Sequence, residues 1–223
     1  MDNYEYLLSD ITILKGVGKS LSSKFRKKNI NTIFDLILSK PSKYIDRSTE
    51  TKIKDLHIGK IQTVTLFVEK YNFPRIRNLP NKVICSDDTG KLDCIFFNSY
   101  EGYIKKILPL NKMVTVSGKI SFFRGSYQIT NPTHVSTDKN KIKKIHSNYS
   151  LTEGISDNIF NKTIKEALDN LPKMDEWLSS KILKNFDNIT WNEAIVNLHN
   201  PKKDQNEKKY INRLIFDEIL STF

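Results

Sequence analysis

Cysteine is almost absent from the 223 residues, which hold only Cys85 and Cys94. Two thiols cannot build a disulfide framework, and with four scattered histidines (His57, His134, His146, His199) they cannot assemble a metal site. On neighbouring expected strands they fit small buried residues of a reducing compartment, a mutual disulfide being the alternative. No apolar run reaches the roughly 18 residues that span a bilayer. Asp2, Glu5 and Asp10 all precede the first lysine, Lys15, so the basic-then-apolar order of an export signal is missing. A cytoplasmic protein away from membranes is expected. Catalytic motifs are lacking too. Gly18-Lys19-Ser20 has no leading glycine at the spacing of a phosphate-binding loop, and there is no H-E-x-x-H. No serine or cysteine nucleophile set has supporting context. Neither a catalytic residue, nor a metal, nor a cofactor is expected within this chain.

Positive charge, in contrast, is abundant. The net charge is +11, from 36 Lys and Arg against 25 Asp and Glu. Its distribution is uneven: the excess is +4 over residues 1–49, +6 over 50–136 and +1 over 137–223. A basic excess confined to the first two segments suits a polyanionic partner, held by phosphate neutralisation and counterion release. A generally lysine-rich composition would give the same total without that partner.

The same three segments differ in pattern. Residues 1–49 read as short helices around a Lys15-Gly16-Val17-Gly18-Lys19 turn, with Thr32 placed to cap the run from Ile33 to Leu38 and Pro41 beyond its end. Residues 50–136 read as strands. Val64, Leu66 and Val68 share one face, and Asn81–Asp88 and Lys91–Phe97 are joined by the hairpin signal Asp88-Thr89-Gly90. A short helix, Tyr103–Leu108, precedes strands at Met113–Phe122 and Tyr127–Val135. Five strands with one helix between the third and fourth is the layout of an OB-fold barrel. Residues 137–223 read as helices at Asn158–Leu171 (capped by Ser156), Glu176–Phe186, from Thr190-Trp191-Asn192-Glu193 onward, and Lys203–Phe223. The last ends on an apolar run without a cap, which suggests a piece of a longer protein. The expected class is α+β: a five-stranded barrel between a small helical element and a helical connector.

Two sets of residues could contact a ligand. Glycines at Gly16 and Gly18 permit close backbone approach, and the helix start at Lys19 favours a phosphate. Helix-hairpin-helix elements use such a turn against the DNA backbone, but it can equally be a purely structural hairpin. The second set interleaves Phe96, Phe97, Tyr100, Tyr103, Phe122, Phe123 and Tyr127 with Lys105, Lys106, Lys119 and Arg124. OB folds stack bases on aromatics inside a basic groove. Strand parity predicts Phe96 in the core with Leu92 and Cys94, and Phe97 outside; it puts Phe122 inside with Val116 and Ile120, and Phe123 at the turn.

The order of these pieces resembles the opening of the RecG DNA helicase family. Leu14-Lys15-Gly16-Val17-Gly18, Asn29-Ile30, Asp35-Leu36, Pro41 and Tyr44-Ile45-Asp46-Arg47-Ser48 follow its pattern. So do Val116-Ser117-Gly118-Lys119, Phe123-Arg124-Gly125, Gln128 and Pro132. Leu151-Thr152-Glu153-Gly154-Ile155-Ser156, Leu171-Pro172, Glu176-Trp177-Leu178, His199-Asn200-Pro201 and Arg213-Leu214-Ile215-Phe216-Asp217-Glu218 continue it. The resemblance implies that the barrel is a wedge that splits forks and Holliday junctions, in repair and recombination. It implies a partner in branched DNA with single strands at the junction, a monomeric protein at the nucleoid, and an ATPase motor in cis that uses ATP and Mg. Phe97-Asn98 matches the segment carrying one stacking aromatic. An apparent two-residue insertion leaves Tyr103 or Tyr100 as the second. Asn131 stands where the family has His, and Asn29 where it has Gly. Phosphates would fall to Lys119, Arg124, Lys105 and Lys106, with Gly16, Gly18 and Lys19 from the first segment. A standalone OB-fold single-strand binder is the competing reading, and a protein-docking module a further one.

Overall fold

The computed structural model describes residues 3–75, 79–151, 154–203 and 205–221. Thr152 and Glu153 of the Leu151–Ser156 match, and Phe223 of the expected last helix, lie outside the described residues. In chain order the elements are α1 (Asn3–Leu8), α2 (Lys19–Arg26), α3 (Ile33–Ile37), β1 (Lys43–Asp46), β2 (Ile61–Asn72), β3 (Asn81–Asp87), β4 (Gly90–Phe96), α4 (Glu101–Ile107), β5 (Met113–Phe123), β6 (Ser126–Thr130), β7 (His134–Ser136), β8 (Ile145–Asn148), α5 (Asp157–Asp169), α6 (Ser180–Leu183), α7 (Trp191–His199) and α8 (Lys208–Ser221). They form two compact units, residues 46–144 and residues 1–45 with 145–223.

In residues 46–144 the strands close in the order β2-β3-β4-β6-β5-β2, an OB-like barrel. The β4–β6 pair is parallel and the others are antiparallel. Closure needs one strand to pair on both sides. β2 does this by lying against β5 from Ile61 to Phe67 and against β3 from Phe67 to Asn72, with a register shift between Val68 and Lys70. Such an irregularity bends the strand and lets twelve residues serve two neighbours. Strand alternation sets the core as expected: Val64, Leu66 and Val68 from β2 meet Leu92, Cys94 and Phe96 from β4 and Val114, Val116 and Ile120 from β5, all buried. Ile104 and Leu108, one helical turn apart on the α4 side, plug the barrel. Cys85 and Cys94 are both buried free thiols within this core. At Gly118 a side chain has no room, because a Cβ would lie 2.4 Å from Ile129 Cγ2. The expected strand Tyr127–Val135 is two strands, β6 and β7, broken at Asn131-Pro132. Asn131 takes φ 44°, and proline cannot donate to a ladder.

The helical segments at the two ends of the chain, separate along the sequence, share one core in the other unit. Ile11, Phe25, Ile33, Leu36 and Ile37 pack with Tyr149, Phe160, Ile164, Ala167 and Ile195. α2 and α3 have eight and five residues, too few to persist alone, so this burial holds them. Thr32 and Asp35 form a capping box at α3, Thr190 and Glu193 another at α7, and Ser156 caps α5. His199 is buried. Its Nε2 donates to the Ile37 carbonyl (2.7 Å), its Nδ1 accepts from Tyr149 Oη (2.7 Å), and its own carbonyl accepts from Ser147 Oγ (2.8 Å). Burial lowers its pKa to about 4.

Two helices differ from expectation. Glu176–Phe186 is not one helix; only Ser180–Leu183 and a short 3-10 turn, Lys184–Phe186, are helical. The Glu176 carboxylate accepts from the backbone N–H of Leu178 (2.9 Å) and of Trp191 (3.2 Å), which competes with a helical turn at this point. The same carboxylate pairs with the fully buried Arg213 (2.7 Å), which also pairs with Asp217 and donates to the Ile189 carbonyl (3.1 Å). The last helix starts at Lys208, not Lys203, because Gln205 Oε1 accepts from the Lys202 N–H (2.7 Å) and turns the chain before it.

Candidate nucleic-acid interface

The end of β4 divides the aromatics as parity requires. Phe96 points inward at 2% exposure, whereas Phe97 is 48% exposed. Beyond it the chain leaves the sheet at Asn98, in the left-handed region at φ 56°. Asn131 fixes the departure: its Oδ1 accepts the Phe97 N–H (2.8 Å) and its own N–H donates to the Ile95 carbonyl (2.7 Å). Asn81 adds a bond from its amide to the Ser99 carbonyl (2.8 Å).

α4 then presents the two tyrosines. Tyr100 is its N-cap residue and Tyr103 lies in its first turn, 76% and 42% exposed, with ring centroids 6.1 Å apart at 52°. Because Ile104 and Leu108 face the core, Tyr103 and Lys106, three apart, share the outer side. Lys105 is partly neutralised by Glu101 (3.1 Å) and sits 5.3 Å over the Phe73 ring. Lys106 is exposed and makes no ion pair among the described residues. Phe97, Tyr100, Tyr103, Lys105 and Lys106 thus follow one another along the exposed stretch where β4 runs into α4, with Tyr100 and Tyr103 in ring contact.

Arg124 is not part of this group. It lies at the tip of the β5–β6 hairpin, beyond the N-terminal end of β4, since Tyr127 is level with Leu92; Lys119 lies further back on β5, next to Ile120, whose partner Ile129 is level with Cys94. Here parity misleads. Phe122 is 50% exposed, not inside, and Phe123 is 56% exposed. β2 begins at Ile61, opposite Lys119, and the bonds of Ile120 to Gly59 and Lys60 are the last on that side, so residues 121–123 run on beyond the barrel wall with β6 as their partner strand. Phe122 meets Tyr127 across the hairpin, edge-on at 5.1 Å. The signal was in the sequence: two consecutive phenylalanines directly before an Arg-Gly turn cannot both face a core.

Gly16, Gly18 and Lys19 belong to the other unit. Val17 is buried and its N–H donates to the Leu14 carbonyl (3.0 Å), so the turn is anchored by the residue between the glycines. Gly16 (φ 89°) and Gly18 have no atom within 4 Å of where a Cβ would stand. Gly18 starts α2 without a side-chain cap. Among the described residues no three His, Cys, Asp or Glu side chains gather into a metal-binding group, and no helix is long and apolar enough to cross a membrane.

Residues 10–171 match the family model of the RecG wedge domain. The chain belongs to the RecG wedge domain family. Among curated proteins it is 28% identical over 219 residues to the ATP-dependent DNA helicase RecG of Thermotoga maritima, covering 96% of this chain and 28% of that protein. It is 26% identical over 216 residues to the RecG helicase of Staphylococcus aureus, covering 92% of this chain and 30% of that one. The chain therefore spans less than a third of the length of these relatives. A solved structure of RecG bound to a three-way DNA junction superimposes with a TM-score of 0.82 at 28% identity, over 93% of this chain and 29% of the other. The OB-like wedge barrel with helices at both ends is thus common to this chain and RecG.

Proposed function

We propose that this chain is the part of a RecG-type ATP-dependent DNA helicase that binds branched DNA and parts its strands. The observation that carries this is the exposed cluster of Phe97, Tyr100 and Tyr103 at one end of a closed barrel. A closed barrel can enter a junction, and aromatic faces can take up the bases that lose their partners, at about 1–3 kcal/mol per stacked base. Phe97 and one of the two tyrosines stack. Lys105 and Lys106 hold phosphates beside them, Lys119 and Arg124 do so on the β5–β6 hairpin, and the Gly16-Val17-Gly18 turn with Lys19 takes a further backbone phosphate. Force is supplied by ATPase motor domains in cis that use ATP and Mg, and the setting is fork regression and Holliday-junction branch migration in repair and recombination. The protein acts as a monomer in the bacterial cytoplasm, at the nucleoid.

Fluorescence anisotropy against a three-way fork, a duplex and a single strand at two salt concentrations tests this reading. The fork binds tightest, affinity falls with salt, and Phe97→Ala weakens fork and single strand by roughly tenfold while sparing duplex. Equal affinity for all three refutes the wedge role. Equal binding of strand and fork, both above duplex, favours a plain single-strand binder.

A further inference from the structure

Phe122 and Phe123 are unused by the reading above, yet they occupy a prominent place. The tip of the β5–β6 hairpin is a two-residue turn, Arg124 (φ 49°) and Gly125 (φ 82°), the left-handed pair that matches strand twist. It projects past the barrel wall with a phenylalanine on each face, both half exposed, so neither serves the core. One cation lies against them and two stand at the base of the hairpin. The Arg124 guanidinium lies 5.2 Å over the Phe123 ring. Lys119 is exposed on the same face of β5 as Phe123, two strand repeats away. Lys60 is held beside the hairpin by the bond from the Ile120 N–H to its carbonyl (2.9 Å). None of these three cations makes an ion pair among the described residues. Exposed rings interleaved with uncompensated cations fit an unpaired nucleic-acid strand, whose bases offer π-faces and whose phosphates offer charge. A protein partner of apolar surface would leave the cations desolvated without counter-charge.

We infer that the hairpin tip is a second single-strand contact, with Phe123 and Phe122 as stacking rings and Arg124 as phosphate ligand, while Lys60 and Lys119 hold phosphates further back, at the base of the hairpin. It lies at the opposite end of β4 from Phe97. The five steps from Leu92, level with Tyr127, to Phe97 amount to about 17 Å at roughly 3.3 Å per residue. A strand held at the stacked rise of roughly 3.4 Å per nucleotide needs about five nucleotides to touch both clusters. This rests on the reading that the barrel takes an unpaired strand, and it adds a length threshold that one cluster alone would not produce.

The test is anisotropy of the 223-residue chain on labelled oligothymidylates of about four and about twelve nucleotides, within the roughly 4–16 that one barrel occupies. Phe123→Leu keeps apolar bulk but removes the ring, Phe123→Tyr keeps the ring, and Phe97→Ala serves as the reference. The longer strand binds more tightly. Phe123→Leu reduces its affinity roughly tenfold, to near that of the shorter strand, and Phe123→Tyr restores it. Should Phe97→Ala weaken the longer strand while Phe123→Leu does not, the hairpin contact is wrong and the wedge reading survives. Failure of the wild-type chain to bind either strand overturns both. A hairpin that docks a protein instead gives wild-type DNA affinity in both Phe123 variants.

Discussion

Acid destabilises the helical unit through one imidazole. His199 is packed between Tyr149 and the Ile37 carbonyl, and burial lowers its pKa to about 4 from an ordinary 6.5. The unfolded chain therefore binds a proton that the folded chain refuses. The neutral imidazole stabilises the fold fully above pH 6.5, and that contribution drains away as pH falls from 6.5 towards 4. Between pH 7.5 and pH 5 the loss is about 2 kcal/mol, from 1.36 kcal/mol per unit of pKa difference and the fraction protonated in each state. Carboxylates whose pKa values are held down, such as Asp10, Asp35 and Glu50, act below this window. The assay is urea unfolding at pH 7.5, 6 and 5, followed by tryptophan fluorescence, since Trp177 and Trp191 both belong to this unit. His199→Gln can still donate to Ile37 and accept from Tyr149 but cannot titrate. It costs about 1 kcal/mol at pH 7.5 by imperfect packing, and its stability changes less between pH 7.5 and 5. Parallel pH profiles for wild type and variant would falsify the assignment.

Three further outcomes follow from single contacts. Gly118→Ala drives a methyl into Ile129 at 2.4 Å and costs about 1–3 kcal/mol by overpacking, read as a lower urea midpoint of the barrel; an unchanged midpoint would show that β5 and β6 can separate freely. Arg213→Met leaves Glu176 and Asp217 without their cation in a largely buried setting and costs about 3–5 kcal/mol, whereas Arg213→Met with Glu176→Gln and Asp217→Asn regains part of it. Asn131→Ala frees the Phe97 N–H and the turn after β4, and weakens single-strand binding about fivefold with duplex binding unchanged, measured by anisotropy.

The barrel was legible because its residues obey one rule each. Val64, Leu66 and Val68, or Leu92, Cys94 and Phe96, alternate with a period of two, and burial follows the alternation as far as closure persists. Phe122 obeys the same parity and is exposed, since parity says which face a side chain takes and not whether a wall stands on that face. Only the pairing of Ile61 with Lys119 reveals that the wall stops short of it. Glu176–Phe186 failed as a helix for a non-local reason: Arg213, 37 residues away, holds the Glu176 carboxylate in a place where it bonds the backbone. The joining of the first and last helical segments in one core was illegible for the same reason, since no local pattern says which apolar stripes meet.

These distinctions bear on which residues mark the family and which carry its task. Gly118, His199, Arg213 and Asp217 lie in motifs that resemble RecG, and each is explained by a buried contact: a methyl that cannot fit, a satisfied imidazole, an ion cluster around one guanidinium. Their requirements are steric and electrostatic within the fold, so they tolerate little change. The proposed stacking residues face solvent at the barrel ends, where one ring serves as well as another and a loop can lengthen without disturbing the core. Two of the three departures from the pattern that the resemblance implies fall there, the apparent two-residue insertion before Ile104 and Asn131 in place of His; the third, Asn29, takes a left-handed turn in the helical unit (φ 58°). Asn131 nevertheless keeps the one function that the fold demands at its position, accepting the Phe97 N–H, and an asparagine tolerates the left-handed backbone there better than most side chains. The support beneath Phe97 is thus kept with asparagine at this position. Binding should accordingly depend more on the presence of a ring at Phe97 and at one of Tyr100 and Tyr103 than on the particular aromatic residue.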